Sequence, residues 1–586
     1  MSALSNVPRD RAIPHWLAGA DGRQTFAWTH LPATRPRRRT GIQIVAPVGP
    51  EYLHSHRAVR HLARVLARLG FVTVRHDHEG MANSTGDLRD AETWAHWDES
   101  CELAHQHLRA VPGVDEVVVV ALRSGSLVAQ RLMARHQLSA VVHWFPYLKG
   151  SVFVRDLALI DSMLDLPAPD GPFIEAGGYP LHERTHAALR DCDLLAGPLP
   201  LARRALIVND AALPVNDRLR MRLDEAGIAA VRMEQPGLGE MMRQAELMQV
   251  PGECVAAVSH WLDEAFPATT PAHELPPVRA ELDSAAFRER PFAIAGPRPM
   301  LGLLTESLTP DSDAPLLVLL NAGAAHHVGP NRLHVDLARA VAAKGISSLR
   351  LDISNLGESA EGLSPAEHHP YAPTAAADVT TSLAELTRTT AYARFVLCGL
   401  CSGAHNSFQG ALAAPPGQVA GLVLLNPLTF YWRSGDDVLN PEGARVEQNA
   451  AQFGASSRDP RKWLRLLTEP RRLARVGLSA GAIAWARAAT AARALAQSMR
   501  LGVMTPLERD LRRLLDSGVW ISLLTAESEP GYAAMRASAG RLLSATHRAG
   551  HVCVEILPET DHTFTAYASR QDLIRRITAQ LSGPHT

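Results

Sequence analysis

The sequence predicts an α/β fold built twice in tandem, each copy a largely parallel sheet covered by helices. Three observations predict it. At 586 residues the chain exceeds the usual span of one domain. One order of segments recurs about 275 residues apart: strand, loop, amphipathic helix, Gly, strand, then R-x-D and a polar loop with Ser. The strands are apolar throughout instead of alternating, which suits a parallel sheet buried on both faces.

The first copy opens with GIQIVAPVGPEYLHSHRAVRHLARVLARLGFVTVRHDHEGMANSTGD, residues 41–87. The second opens at Pro315 with PLLVLLNAGAAHHVGPNRLHVDLARAVAAKGISSLRLDISNLGESAEG. In the first helix Leu62, Val65, Leu66 and Leu69 fall on one face, and in the second Leu333, Leu337, Ala340 and Val341 do so. Each copy continues with a helix, an apolar strand (EVVVVAL, then RFVLCGL), a tight turn and another helix. Further strands are expected at Ala140–Trp144 and Arg204–Val208, and at Gly421–Asn426 and Val519–Thr525. The Pro-containing stretch FPATTPAHELPPVRAEL reads as a linker. The domains are therefore expected at 1–265 and 283–586, with the linker at 266–282. Copy two alone carries a largely helical, Arg- and Ala-rich insertion at 427–517, which reads either as a lid over the C-terminal ends of the strands or as an additional packing layer.

Composition excludes several classes of function. With 59 basic against 60 acidic residues, the formal net charge of −1 gives no drive toward nucleic acid or anionic membranes. No run of about 20 apolar residues occurs, so no membrane span is expected. The start, MSALSNVPRDRAIPHW, has no apolar core of a secretory leader. Six Cys are too sparse for a disulfide scaffold. A soluble protein of the reducing cytoplasm is the default expectation.

The chemistry centres on FVLCGLCSGAHNSFQGAL. Gly399-Leu400-Cys401-Ser402-Gly403 fits the nucleophile elbow G-x-Nu-x-G, with Cys where Ser is commoner. The nucleophile sits in a strained strand-to-helix turn, and residues two before and two after it press on neighbouring backbone. Gly399 and Gly403 supply the small residues. The following helix N-terminus favours negative charge, and the Ser402 amide would face a developing oxyanion. Cys398 and Cys401 also spell C-x-x-C, but no second pair completes a zinc site, so no metal or cofactor is expected.

A thiol nucleophile needs a base, and the base an orienting acid. His562, after the strand HVCVEILP, follows the nucleophile and a candidate acid in chain order. In ISLLTAESEPGY both Glu527 and Glu529 are candidates; Glu529, further into the loop, is preferred, with Asp561 a weaker rival. The second oxyanion donor is expected from NAGAAHHVGP, in the Gly323–Ala324 region. His326 and His327 are candidates for the cavity mouth; without a carboxylate partner they make a poor metal pair.

In copy one, register places Arg123 at the nucleophile position of Ala121-Leu122-Arg123-Ser124-Gly125, and Arg is no nucleophile at neutral pH. Glu240 stands roughly where a His is needed. The front copy therefore reads as catalytically empty. Arg123 either binds a carboxylate or phosphate, for instance on a carrier's phosphopantetheine, or forms an internal salt bridge, with Glu240 a candidate partner.

These residues resemble the α/β-hydrolase superfamily, in its serine-aminopeptidase-like, exopolysaccharide/exosortase-associated branches. NAGAAHHVGPNRLHVDLARAVA, RLDISNLGES, the CSG elbow, SEPG and DHTF carry the resemblance over most of residues 290–586. SHRAVRHLARVLARLGF, ALRSGS and HWFPYLKG carry it in the front half, which resembles a companion branch with Arg at its elbow. The resemblance implies Cys401 as nucleophile, His562 as base and Glu529 as acid, and points to thioester or ester substrates that are often borne on acyl carriers. Cys in place of Ser departs from the pattern of simple esterases and peptidases. The expected activity is a Cys-dependent, thioesterase-like acyl hydrolase. The alternatives are an acyltransferase or cyclase, and a non-catalytic pseudo-hydrolase that binds an acyl carrier.

Overall fold

In the computed structural model of the chain the described residues are 11–33, 37–164, 171–214, 216–269, 273–311, 313–360, 368–433, 435–436, 504–527 and 529–583. Two large sheets organise them. The front sheet comprises β1 (Arg11–Ala18), β2 (Gln24–Leu31), β3 (Thr40–Val45), β4 (Val72–His76), β5 (Glu116–Leu122), β6 (Leu138–Trp144), β9 (Ala202–Asp210) and β10 (Ala229–Gln235). Their order is β1-β2-β4-β3-β5-β6-β9-β10. The short strands β7 (Phe173–Glu175) and β8 (Pro180–His182) pair apart from it.

The back sheet comprises β11 (Leu282–Asp283), β12 (Phe287–Ile294), β13 (Met300–Ser307), β14 (Leu316–Leu320), β15 (Ser348–Asp352), β16 (Phe395–Leu400), β17 (Val419–Leu425), β18 (Trp520–Ala526) and β19 (Val552–Leu557). Its order, β11-β12-β13-β15-β14-β16-β17-β18-β19, repeats the front arrangement after one extra edge strand. At one edge two antiparallel pairings in the front sheet, and three in the back sheet, give way to parallel pairing.

Sequence explains the parallel cores. All of β14 (LLVLL) and β16 (FVLCGL) is buried, because helices cover both faces. The helix Pro50–Arg68 buries Leu62 and Leu66 in the front core, and Leu333–Ala342 buries Leu333, Leu337 and Val341 in the back core. The strands expected at Ala140–Trp144 and Arg204–Val208 lie within β6 and β9. Those expected at Gly421–Asn426 and Val519–Thr525 fall on β17 and β18 with ends shifted by a residue or two. The expected insertion at 427–517 lies mostly on 437–503, outside the described residues; within its last part Pro506–Asp516 is a helix that buries Leu507, Leu511 and Leu514. Among the described residues no helix is long and apolar enough to cross a membrane.

The sheets are joined by a reciprocal exchange. Arg75 and Arg350 are the arginines of the two R-x-D motifs, and both are buried. Arg75 Nη2 reaches Glu358 Oε2 at 2.7 Å, and Arg350 Nη1 donates to Asn83 Oδ1 at 2.7 Å. Glu358 and Asn83 are themselves equivalent positions in the repeat. Glu358 also meets His56 at 2.8 Å and Arg60 at 3.1 Å. From the back half Arg332 donates to the carbonyls of Ala82, Ser84 and Gly86, and Arg339 to those of Asn83 and Ser84.

Burial alone would raise the Glu358 carboxyl, but Arg75, His56 and Arg60 hold it well below the ordinary carboxylate value. Its stabilising contribution is therefore complete above the ordinary pKa of 4.5 and is lost as pH falls through the depressed value in the folded chain. Glu358→Gln leaves buried cations without their counter-charge and should cost about 3 kcal/mol at neutral pH. It should also flatten the acid limb of stability. Urea unfolding midpoints of the two proteins between pH 7 and 3 check both outcomes.

Candidate active site

Strand β16 ends in the turn that carries Cys401. Its backbone stands at φ 59° and ψ −114°, outside the regions a residue with a Cβ normally takes. The Cys401 amide donates to Leu425 O at 2.9 Å, and the helix Ser402–Ala413 starts directly after it. The small neighbours are required by contact. A Cβ on Gly399 would lie 2.2 Å from the Gly403 carbonyl carbon, and one on Gly403 would lie 2.8 Å from Asn321 O.

The loop after β18 and the loop after β19 bring Glu529 and His562 together. Nδ1 of His562 meets Glu529 Oε1 at 2.9 Å. Asn426, at φ 40° just past β17, spans the two loops. Its Oδ1 accepts from the Ala526 amide at 2.8 Å, and its Nδ2 donates to His562 O at 2.8 Å. Burial disfavours the imidazolium. Nevertheless the Cys401 sulfur and the Glu529 carboxylate beside the ring raise its proton affinity well above that of free histidine. Nε2, the nitrogen not held by Glu529, is buried without a hydrogen-bond partner.

The other carboxylates considered for the base are engaged elsewhere. Asp561 takes the amide of Thr565 and the hydroxyls of Thr563 and Thr565. Glu527 is exposed. Tyr371, which the sequence reading did not single out, places its hydroxyl 3.9 Å from the Cys401 sulfur. Its ring stacks on Trp432 at 4.3 Å, and Asn406 Nδ2 donates to Pro370 O beside it at 3.0 Å.

The loop after β14 is held from below. Asp352, from R-x-D, accepts from Asn321 Nδ2 at 2.7 Å and meets His327 Nδ1 at 2.7 Å. Asn321 Oδ1 accepts from the Ile353 amide at 3.0 Å. Asp352 thus clamps the segment from which an oxyanion amide was expected. Gly323 and Ser402 line a cavity of about 580 Å³ together with Cys401 and His562, whereas Ala324 packs into the core behind it.

The two histidines expected at the cavity mouth are placed otherwise. Both are buried, and neither lines the cavity. His327 has the carboxylate partner that its sequence neighbourhood did not reveal. His326 stacks face to face on His56 of the front half at 3.8 Å. His326 is part of the join between the sheets, and His327 holds the loop within the back half.

Arg123 stands at φ 53°, so the front elbow keeps the backbone of the back one. A Cβ on Gly125 would meet Val45 O at 2.5 Å, just as Gly403 meets Asn321. The Arg123 guanidinium pairs with Glu51 at 2.7 Å and lies over Tyr147 at 4.0 Å. Its charge partner is Glu51, in place of the expected Glu240, which is exposed. Away from the cavity, His76, His78 and Cys101 place donor atoms within 4.8 Å of one another, a buried group able to hold a metal ion. Distance along the chain hid it from sequence reading.

The front half also walls the cavity of the back half. Pro50, Leu53, His54, Ile160 and Glu246 line it opposite Cys401. No sequence signal pointed to this, since these residues approach only when the two sheets dock.

The strand order of both sheets and the elbow after β16 are consistent with an α/β-hydrolase fold. Among solved structures, Est1E from Butyrivibrio proteoclasticus, solved with ferulic acid bound, is 16% identical over 43% of this chain and 98% of its own, with a TM-score of 0.33. A dienelactone hydrolase from Anabaena variabilis is 11% identical over 50% of this chain and 96% of its own, with a TM-score of 0.30. A hypothetical protein of Pseudomonas aeruginosa is 16% identical over 44% of this chain and 95% of its own, with a TM-score of 0.31. No family model and no curated protein matches the chain.

Gly399→Val forces a side chain into the Gly403 backbone, a steric conflict that should destabilise the chain by about 3 kcal/mol or more. Reaction of Cys401 with iodoacetamide, followed by peptide mass spectrometry alongside a thermal melt, should show both a lower melting temperature and lost selectivity for this thiol.

Proposed function

We propose that the chain is a Cys-dependent acyl hydrolase of thioesterase type, acting on an acyl-thioester or ester through an acyl-Cys401 intermediate. In this reading residues 283–586 form the catalytic α/β-hydrolase domain, 1–265 a degenerate copy without catalytic groups, and 266–282 the linker. The observation that carries the reading is Cys401 at φ 59° in a glycine-flanked elbow, sharing one cavity with a His562 ring held by Glu529 at 2.9 Å.

His562, whose proton affinity is raised by the neighbouring Cys401 sulfur and Glu529, takes the Cys401 proton to form the thiolate–imidazolium pair that reacts. The Cys401 thiolate attacks the acyl carbonyl, and the amides of Ser402 and Gly323 face the oxyanion. Collapse breaks the bond to the leaving group, which takes its proton from His562 Nε2. The neutral imidazole then removes a proton from water, and the resulting hydroxide adds to the acyl carbon. Loss of the thiolate releases the acid and restores the pair. Glu529 holds the ring so that Nε2, and not Nδ1, handles the proton.

A short acyl thioester of N-acetylcysteamine tests this. Intact-mass measurement should show one acyl group on the wild-type chain and none on Cys401→Ala; an equal adduct on the variant would overturn the covalent reading. Glu529→Gln should lower thioester turnover about 100-fold or more, because the base then loses its orienting charge. Presenting the same acyl group on a carrier protein, with kcat/KM compared to that of the free thioester, decides whether a carrier is the natural donor.

A further inference from the structure

Glu246 belongs to the front half yet reaches into the catalytic cavity of the back half. The turn that bears it follows Gly237, at φ 118°, and is closed by Leu247 N donating to Gln244 O at 2.9 Å. Its neighbour Ala245 packs against the back core, which fixes the turn on the other half. The carboxyl is pressed onto the loop after β14. A Cβ on Gly323 would lie 1.7 Å from Glu246 Oε1, so only glycine at 323 admits the carboxyl there.

The charge around it is one-sided. Among the described residues that line the cavity there is no Arg or Lys. His562, whose charge acts on Glu246, is already committed to Glu529. His54, also lining the cavity, has its proton affinity lowered by burial. Asp561 spends its oxygens on Thr563 and Thr565, and Tyr371 adds no positive charge. Among the described residues Glu246 is therefore a largely buried acid that shares the cavity of Cys401 and has no dedicated cation. Such a group is costly unless a ligand supplies the missing charge.

We propose that Glu246 anchors a protonated primary amine beside Cys401, making the amine the acceptor of the acyl group. This rests on the acyl-Cys401 reading above. An ammonium brings three donors and one positive charge, and its alkyl stem would lie against the apolar wall of Leu53 and Ile160. Burial raises the proton affinity of the Glu246 carboxyl, which helps it to take a proton from the ammonium. The step balances. The ammonium gives one proton to the Glu246 carboxylate, and the freed nitrogen lone pair forms a bond to the acyl carbon. The C–S bond breaks, returning its electron pair to Cys401. The second amine proton passes to neutral His562, the amide leaves, and Glu246 returns its proton to solvent.

The test measures product partition. Wild type, Glu246→Gln and Glu246→Asp receive the same acyl thioester with n-butylamine, or with n-butanol as the uncharged acceptor. Amide, ester and acid are quantified, and acyl-Cys401 is followed by intact mass. Wild type should favour amide over ester, and Glu246→Gln should lower the amide-to-acid ratio about tenfold, the loss of one charge-assisted hydrogen bond. Glu246→Asp should recover part of it. An amide-to-acid ratio unchanged in Glu246→Gln overturns the inference while leaving the acyl-enzyme intact. So does a wild-type product ratio blind to the charge of the acceptor, a result that needs no variant to fold. Absence of acyl-Cys401 on the wild type overturns the covalent reading first, and the amine proposal with it.

Discussion

The reciprocal pairing of Arg75 with Glu358 and of Arg350 with Asn83 is the constraint on which the rest of the molecule depends. Each arginine belongs to an R-x-D whose aspartate holds its own half. Asp77 accepts from Tyr52 Oη at 2.6 Å and from the Asn83 amide at 3.1 Å, as Asp352 clamps Asn321 and His327. Ser84 and Ser359 repeat the likeness, each donating to its aspartate's carbonyl at 2.7 Å. One short motif thus fixes the loop below the active site and the contact between the sheets. Displacing one half would disturb the loop that carries Gly323, because Asp352 also accepts from the Glu358 amide at 2.9 Å.

If the front copy is non-catalytic, as proposed, its elbow serves the fold alone. The positive φ at Arg123 and the close approach of Gly125 to β3 are how strand and helix meet in this fold, whichever residue stands at the turn. Arg123 satisfies its charge on Glu51 and Tyr147, so the front elbow is closed off by its own side chains. What the front half offers is the first turns of its helix Pro50–Arg68, Ile160 on the helix Gly150–Leu164, and the turn bearing Glu246. They supply the wall of the cavity that the back sheet lacks.

Much of this was legible in the sequence because it is local. Apolar strands, the helical period and G-x-C-x-G are set by near neighbours, and chain order suggested His562 and Glu529. The rest depends on tertiary contact. Adjacent His326 and His327 read as a loop pair, yet one meets a carboxylate 25 positions on and the other a ring of the front half. Asn426 gave no motif, since its two partners lie in loops about a hundred residues and more beyond it. Glu246 was hidden for the same reason. It lies in a turn of one half and acquires a role only against Gly323 of the other.

Cysteine and a nearby acid are consistent choices. In the proposed mechanism the acyl group held on Cys401 keeps the transfer potential of a thioester. A carboxylate against the Gly323 loop opposes negative charge nearby, so it disfavours an attacking hydroxide more than an attacking amine. An ammonium bound there cancels that opposition before its nitrogen attacks. In a site without arginine or lysine among its described lining residues, the acceptor itself is the source of the missing cation.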